Sequence, residues 1–254
     1  DCSDNQLTSI DVSQNTALTE LYCYSNQLTS LDVSSNTALI SLGCSGNQLT
    51  SLDVSNMTAL TTLSCGHNQL TTLDVSGATS LTHLDCRDNQ VTSLDVSNMT
   101  ALTTLWCGQN QLTSLDVSSN TALISLGCYS NQLTSLDVSS NTALISLWCN
   151  DNQLTSLDVR HGNNIMLDSS FFCFNNPNLT CINVDDANWS TSHWTVANGN
   201  IDPAMSFSTN CATTFGCTDS LACNYDSLAT IDDSSCVYPV IWQHAFSICN
   251  GDSI

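Results

Sequence analysis

Read for hydrophobic and polar positions, residues 2–159 repeat one pattern every 21 residues. Cys2, Cys23, Cys44, Cys65, Cys86, Cys107, Cys128 and Cys149 stand 21 apart, and each is followed by NQLTSLDV or a close variant such as NQVTSLDV at Asn89 to Val96. Within one unit Leu18, Leu21, Cys23, Asn26 and Leu28 are spaced L-x-x-L-x-C-x-x-N-x-L, and the frame restarts at Leu39, Leu60, Leu81, Leu102, Leu123 and Leu144. So short a unit cannot bury its apolar positions alone, so the units must stack and share one core. The spacing predicts a solenoid with one short strand around each Leu-x-Cys, the strands ~4.8 Å apart, and eight or nine coils in a rod roughly 40 Å long. Leu7, Ile10 and Val12, with equivalents from Leu28, Leu31 and Val33 onward, fill the return side. A period of 21 leaves little room for a helix there, so turns, extended segments or a turn of 3₁₀ helix are expected.

Three polar or weakly polar columns run through this pattern. The asparagines (Asn5, Asn26, Asn47, Asn68, Asn89, Asn110, Asn131 and Asn152) belong inside the turn after each strand, where the amide can bond backbone groups of its own and neighbouring coils. The cysteines occupy an inward position, with Cys173 as a ninth member. Stacked Cβ atoms ~4.8 Å apart exceed the ~3.5–4.5 Å of a disulfide, so buried thiols are expected, and a linear column does not suit tetrahedral zinc. The aspartates (Asp11, Asp32, Asp53, Asp74, Asp95, Asp116, Asp137 and Asp158) would repel one another by about 0.9 kcal/mol per neighbouring pair even in water. They need compensation, either from backbone N–H groups in the turn D-V-S-x-N or from bound cations.

The unit C-x-x-N-Q-L-T-S-L-D-V-S-x-N-T-A-L resembles the cysteine-ladder leucine-rich repeats of internalin J type, which also occur in large secreted proteins of Bacteroidota. The resemblance covers residues 1–172. It implies a right-handed, curved leucine-rich-repeat solenoid with a parallel β-sheet on the concave face and turns or 3₁₀ segments on the convex face. It also implies a secreted or cell-surface domain of recognition or adhesion, without naming a ligand.

Most columns are nearly constant from coil to coil, but those flanking Cys on the strand vary, and strand alternation points them outward on the concave face. They carry Tyr22, Gly43, Ser64, Asp85, Trp106, Gly127 and Trp148 before Cys, and Tyr24, Arg87, Gly108 and Tyr129 among those after it. Two clusters result. Trp106, Tyr129 and Trp148 fall on three successive coils, where rings can stack on sugars or anchor a protein. His67, His83, Asp85, Arg87 and Asp88 form a polar group that reads as a solvated face. Tyr22, Tyr24 and these two clusters are the candidate ligand-binding residues.

The period breaks after Val159. Residues 173–211 read as a degenerate coil and a cap over the open core, carrying Trp189 and Trp194, with Cys181 expected to pair with Cys211. Residues 212–239, with GCTD from Gly216 and DDSSC ending at Cys236, resemble a short Cys/Asp module of large secreted proteins of marine bacteria. It departs from the usual form at Ser234, where glycine is typical. Cys217, Cys223 and Cys236 are its disulfide candidates, and Asp219, Asp226, Asp232 and Asp233 are candidate calcium ligands, although their spacing is not that of an EF-hand loop. Residues 240–254, including Cys249, read as the opening of a further module or a linker, and the first repeat starts mid-unit, so a longer surface protein is expected.

Composition narrows the function. The 254 residues carry 23 Asp plus Glu against two cations, Arg87 and Arg160, for a net charge of −21. Nucleic acid and anionic leaflets both require clustered Lys and Arg, so neither is an expected partner. No apolar run reaches the ~20 residues of a membrane span, and the sequence shows no initiator Met, signal peptide or basic n-region at Asp1, as expected of a mature product or a fragment. No Ser-His-Asp arrangement, phosphate-binding glycine loop or HExxH string occurs, so a binding module rather than an enzyme is expected. Of the 15 cysteines, nine go to the ladder and six are left for disulfides of the C-terminal third. The leading expectation is a protein or glycan bound on the concave face. Competing with it are end-to-end self-association as a stalk or filament subunit, which light scattering would detect, and ice binding by the column Thr8 to Thr155, which thermal hysteresis would detect.

Overall fold

The computed structural model describes residues 1–167, 169–211, 215–225, 231–232, 234–238, 240–241 and 247–248. The chain divides into two compact units, Asp1–Thr209 and Asn210–Ile254.

The first unit is a parallel-strand solenoid. Its strands are β1 (Glu20–Tyr22), β2 (Ser41–Gly43), β3 (Thr62–Ser64), β4 (His83–Asp85), β5 (Thr104–Trp106), β6 (Ser125–Gly127), β7 (Ser135–Asp137), β8 (Ser146–Trp148), β9 (Ser156–Asp158), β10 (Phe171–Phe172), β11 (Cys181–Asn183) and β12 (Ser206–Ser208). Eight of them form the main sheet in the order β1-β2-β3-β4-β5-β6-β8-β10. Its register is fixed by the repeat, with Leu21 opposite Leu42, Leu42 opposite Leu63, and so on to Leu126 opposite Leu147. Each of these strand leucines points into the core, as do the buried thiols of Cys23, Cys44, Cys65, Cys86, Cys107, Cys128, Cys149 and Cys173. With half-buried Cys2 these make a column of nine free cysteines.

A second parallel sheet, β12-β11-β9-β7, forms on the return side, where the sequence pointed to turns and extended chain. Its cause is local. The return segment Ser-Leu-Asp alternates outward, inward, outward, which is the period of a strand, and Ser135, Leu136 and Asp137 lie opposite Ser156, Leu157 and Asp158. Asp53 and Asp74 make an isolated bridge of the same kind. The turns that lead back to the main sheet are closed by pairs such as Asn36 N–H to Val33 O at 2.9 Å and Leu39 N–H to Asn36 O at 3.0 Å. Leu28, Leu31 and Val33 and their equivalents are buried on this side, as expected.

The asparagine column binds each coil to its predecessor. Asn110 accepts the N–H of Val91 at 2.9 Å and donates to the carbonyls of Cys86, Cys107 and Gly108 at 3.1 Å each. Asn26, Asn47, Asn68, Asn89, Asn131 and Asn152 repeat the arrangement. A turn that must bury one amide N–H and several carbonyls finds a partner for each of them in one side chain, which explains why no other residue occupies the position.

The solenoid ends by bending its own pattern. Between Cys149 and Cys173 there are 24 positions instead of 21, and the surplus is absorbed by a 3₁₀ helix, Asn164–Leu167, whose Leu167 is buried. Phe171 then stands opposite Leu147, so an aromatic ring replaces leucine in the last strand of the main sheet. Helix α1 (Ala187–His193) is started by the carboxylate of Asp186, which accepts the N–H groups of Asn188 and Trp189. Its end places Trp194, fully buried, flat on Phe171 at 4.1 Å and edge-on to Trp189 at 5.6 Å. These rings cover the core beyond Leu147, the last leucine of the main sheet.

In the second unit β13 (Phe215–Gly216) pairs in parallel with β14 (Ile231–Asp232), and β15 (Val240–Ile241) pairs antiparallel with β16 (Ser247–Ile248). A disulfide joins Cys217 to Cys236. Ser234 has a φ of +63°, the left-handed conformation that glycine adopts most readily.

Candidate functional site

The outward side of the main sheet carries a graded aromatic surface. Trp106 and Trp148 are 37% and 44% exposed. Neither ring is loose. The Arg87 guanidinium lies over Trp106 at 4.5 Å, and the indole N–H of Trp106 donates to Ser125 Oγ at 3.3 Å. Tyr129 leans on Trp148 at 6.2 Å, and Trp148 meets the edge of Phe172 at 5.9 Å. Phe172 continues to Phe174 at 6.5 Å. Arg87, Trp106, Ser125, Tyr129, Ser146 and Trp148 together line a hollow of about 130 Å³. At the other end of the sheet Tyr22 stacks on Tyr24 at 5.9 Å and donates to Ser41 Oγ at 3.2 Å.

The rings lie down because neighbouring coils make room. A Cβ on Gly108 would sit 2.6 Å from the ring of Tyr129, and one on Gly43 would sit 2.1 Å from that of Tyr24. One on Gly127 would meet Trp106 at 3.4 Å. In the sequence these glycines look like neutral variation, yet each is the seat of an aromatic ring one coil away. The pairing of Gly with Tyr or Trp in adjacent units is a signal that a column-by-column reading overlooks. Phe172 and Phe174 also belong to the tract, and they escape the 21-residue count because the insertion before Cys173 shifts them.

The polar group resolves into separate pairs. Arg87 Nη2 reaches Asp85 Oδ2 at 2.9 Å, and His67 Nδ1 reaches Asp88 Oδ2 at 2.6 Å on the adjacent coil. His83 Nδ1 sits 3.0 Å from Thr82 Oγ1. His67 and Asp88 belong to the column just past the strand, where Asp4, Ser25, Gln109, Ser130 and Asp151 also have φ near +50°. A left-handed turn costs roughly 1–2 kcal/mol for a residue with a Cβ, so variation in this column is held to residues that tolerate the turn. Among the described residues no three His, Cys, Asp or Glu side chains come together as a metal site.

The aspartate column accepts backbone N–H groups, the compensation its turn chemistry offered. Ser13, Ser34, Ser55, Ser76, Ser97, Ser118 and Ser139, and Arg160 in the last coil, each donate their N–H to the Asp two residues earlier, at 2.8–3.0 Å. The serine hydroxyls and these N–H groups hold Asp32, Asp53, Asp74, Asp95 and Asp116 below the ordinary carboxyl range. At Asp11 the N–H of Ser13 leads, and at Asp158 the Arg160 side chain does.

In the second unit Asp219 is committed to structure. One carboxylate oxygen accepts Leu221 N–H and the other accepts Tyr238 Oη, both at 2.9 Å. Asp226, Asp233, Cys249 and the side chain of Asp232 lie outside the described residues. Cys181, Cys211 and Cys223 are disulfide-bonded, as are Cys217 and Cys236.

Residues 37–77 and 79–120 match the family described as leucine-rich repeats in two copies. A comparison with curated proteins returned no match. Among solved structures the chain is similar to the functional domain of InlJ from Listeria monocytogenes, which includes a cysteine ladder. The identity is 42%, 73% of this chain and 44% of that one are covered, and the TM-score is 0.64. An internalin of the same organism, inlF, follows at 24% identity, 80% and 58% coverage, and a TM-score of 0.58. The plant peptide hormone receptor RGFR1, solved in complex with RGF2, shares the fold at 19% identity, 68% and 34% coverage, and a TM-score of 0.54. The chain thus spans under half the length of the InlJ domain and somewhat over half that of inlF.

Proposed function

Taking residues 1–209 as a cysteine-ladder leucine-rich-repeat solenoid, we propose that the chain is a secreted or cell-surface recognition module that binds its partner on the outward face of the main sheet and performs no catalysis. One observation carries the reading. Asn, Asp, Leu and Cys columns each spend their side chains on the fold, whereas the strand-flanking columns hold exposed, oriented rings that contribute little to the core. Fixed aromatic surfaces of this kind are where binding energy concentrates. The disulfide Cys217–Cys236 suits an oxidising compartment. Cys181 and Cys211, both disulfide-bonded, are proposed to pair with each other, which non-reduced peptide mapping will decide.

The test is adhesion. Beads coated with the full chain are presented to intact bacterial and animal cell surfaces. Trp106→Ala/Trp148→Ala is expected to abolish retention, and Asp116→Asn, on the return side, is expected to leave it unchanged. Equal behaviour of the two variants would remove the main-sheet face from the account.

A further inference from the structure

Resting on that reading, we propose that the ligand is a neutral oligosaccharide, with sugar rings stacked on Trp106 and Trp148 and its hydroxyls met by Ser125 and Ser146. The plates are in place before any ligand arrives, because Trp106 is clamped by Arg87 and Ser125 and Trp148 by Tyr129 and Phe172. An apolar C–H face of a pyranose needs such an oriented ring, and orientation in advance lowers the entropy lost on binding. The hollow between the plates, about 130 Å³, is well below the ~300 Å³ or more of an enclosing small-molecule pocket. It admits one ring of a longer chain lying along the sheet. Trp106 and Trp148 are two coils apart, about 9.6 Å at ~4.8 Å per strand, which is close to the length of a disaccharide.

Charge selects the class of sugar. Both cations of the chain are engaged, Arg87 by Asp85 and Arg160 by Asp158, against a net charge of −21. Sialylated or sulfated glycans would meet repulsion with no free guanidinium to offset it. A protein partner is less well served. Such interfaces take ~800 Å² from each side around an apolar centre, and the strand positions flanking the rings are His83, Asp85, Thr104, Ser125 and Ser146, with the exposed aliphatics Ile124 and Ile145 lying just before β6 and β8 rather than within them.

The experiment screens the full chain on a printed array of neutral, sialylated and sulfated glycans. The best neutral series is then titrated from mono- to hexasaccharide by calorimetry and by tryptophan emission. Neutral glycans are expected to be retained over their acidic counterparts, with affinity rising up to about the trisaccharide and then levelling. Trp106→Ala/Trp148→Ala is expected to lose about tenfold or more in affinity with an unchanged melting curve. If that variant does not fold, a change in wild-type tryptophan emission on titration serves in its place. An empty array, or binding that leaves both tryptophans undisturbed, overturns the proposal. An empty array with adhesion still lost in the double variant refutes the sugar alone and leaves a protein on the same face. Adhesion that survives the double variant refutes the recognition face as well.

Discussion

A single amide side chain does most of the work of closing each coil. Replacing Asn110 by Ala strands the Val91 N–H and takes one of two donors from the carbonyls of Cys86, Cys107 and Gly108, which keep Asn89, Asn131 and the Asp88 N–H. With ~1–3 kcal/mol for the one N–H left unpaired and a smaller loss at carbonyls that keep a donor, the loss is expected to be about 2–4 kcal/mol. Urea unfolding measures it, and a loss under ~1 kcal/mol would mean the turn satisfies itself. The acids titrate in the opposite sense to a buried base. Asp11, Asp32, Asp53, Asp74, Asp95 and Asp116 are depressed below 3.8, so their contribution is complete above that pH and disappears as pH falls through their folded values. His161 is buried with neither ring nitrogen bonded, and burial lowers it below 6.5 although Asp185 acts the other way. The unfolded chain therefore takes up its proton first, and stability starts to fall as pH drops below about 6.5. Denaturation midpoints from pH 8 to 3 should show an upper limb, flattened by His161→Leu, and a steeper limb below about pH 4. An upper limb that persists in His161→Leu would assign it to another group. The asparagine and aspartate roles were legible in the sequence because turn chemistry is local. His161 was not, since nothing in its neighbours along the chain signals burial.

The strands are two or three residues long, and none would persist alone; register comes from the stacked leucines. That is why the main sheet could be read from a 21-residue count while the second sheet could not. Ser-Leu-Asp, or its variants Ser-Ile-Asp and Thr-Leu-Asp, has the right alternation in every coil, but it becomes a ladder only where neighbouring coils align closely enough, as at β7 and β9. The aromatic tract was legible in the same partial way. Trp106, Tyr129 and Trp148 follow from the register, whereas Gly43 and Gly108 acquire meaning only beside the rings they seat. At the end of the solenoid the repeat gives way to the element that closes it. Trp194→Ala is expected to cost about 3–5 kcal/mol. Because the loss exposes Phe171 first, hydrogen exchange should accelerate in β10 to β12 before β1 to β5. Uniform acceleration along the sheet would show that the coils unfold together and the cap has no special place.

At the scale of the whole molecule, coils contact coils 21 residues away, so structure can spread from any point along the solenoid. The same chain carries a disulfide-bonded tail and nine thiols that never pair in the native state. Burial pushes the Cys23 thiol up to about 11 and those of Cys44 to Cys128 higher still, so this stretch of the folded column is chemically silent. Silence exists only after closure. Before it, the oxidant needed by the tail meets nine open thiols, and any two of them can be joined because an unfolded chain imposes no spacing. Folding is thus a race between enclosure and oxidation, and the short distance from coil to coil is what lets enclosure win. Dilution from denaturant into oxidised glutathione is expected to yield native protein when folding precedes the oxidant and coil-to-coil bridges when the oxidant comes first. Mass spectrometry of the peptides tells the two apart, and equal bridging under both orders would show that the column protects itself in some other way.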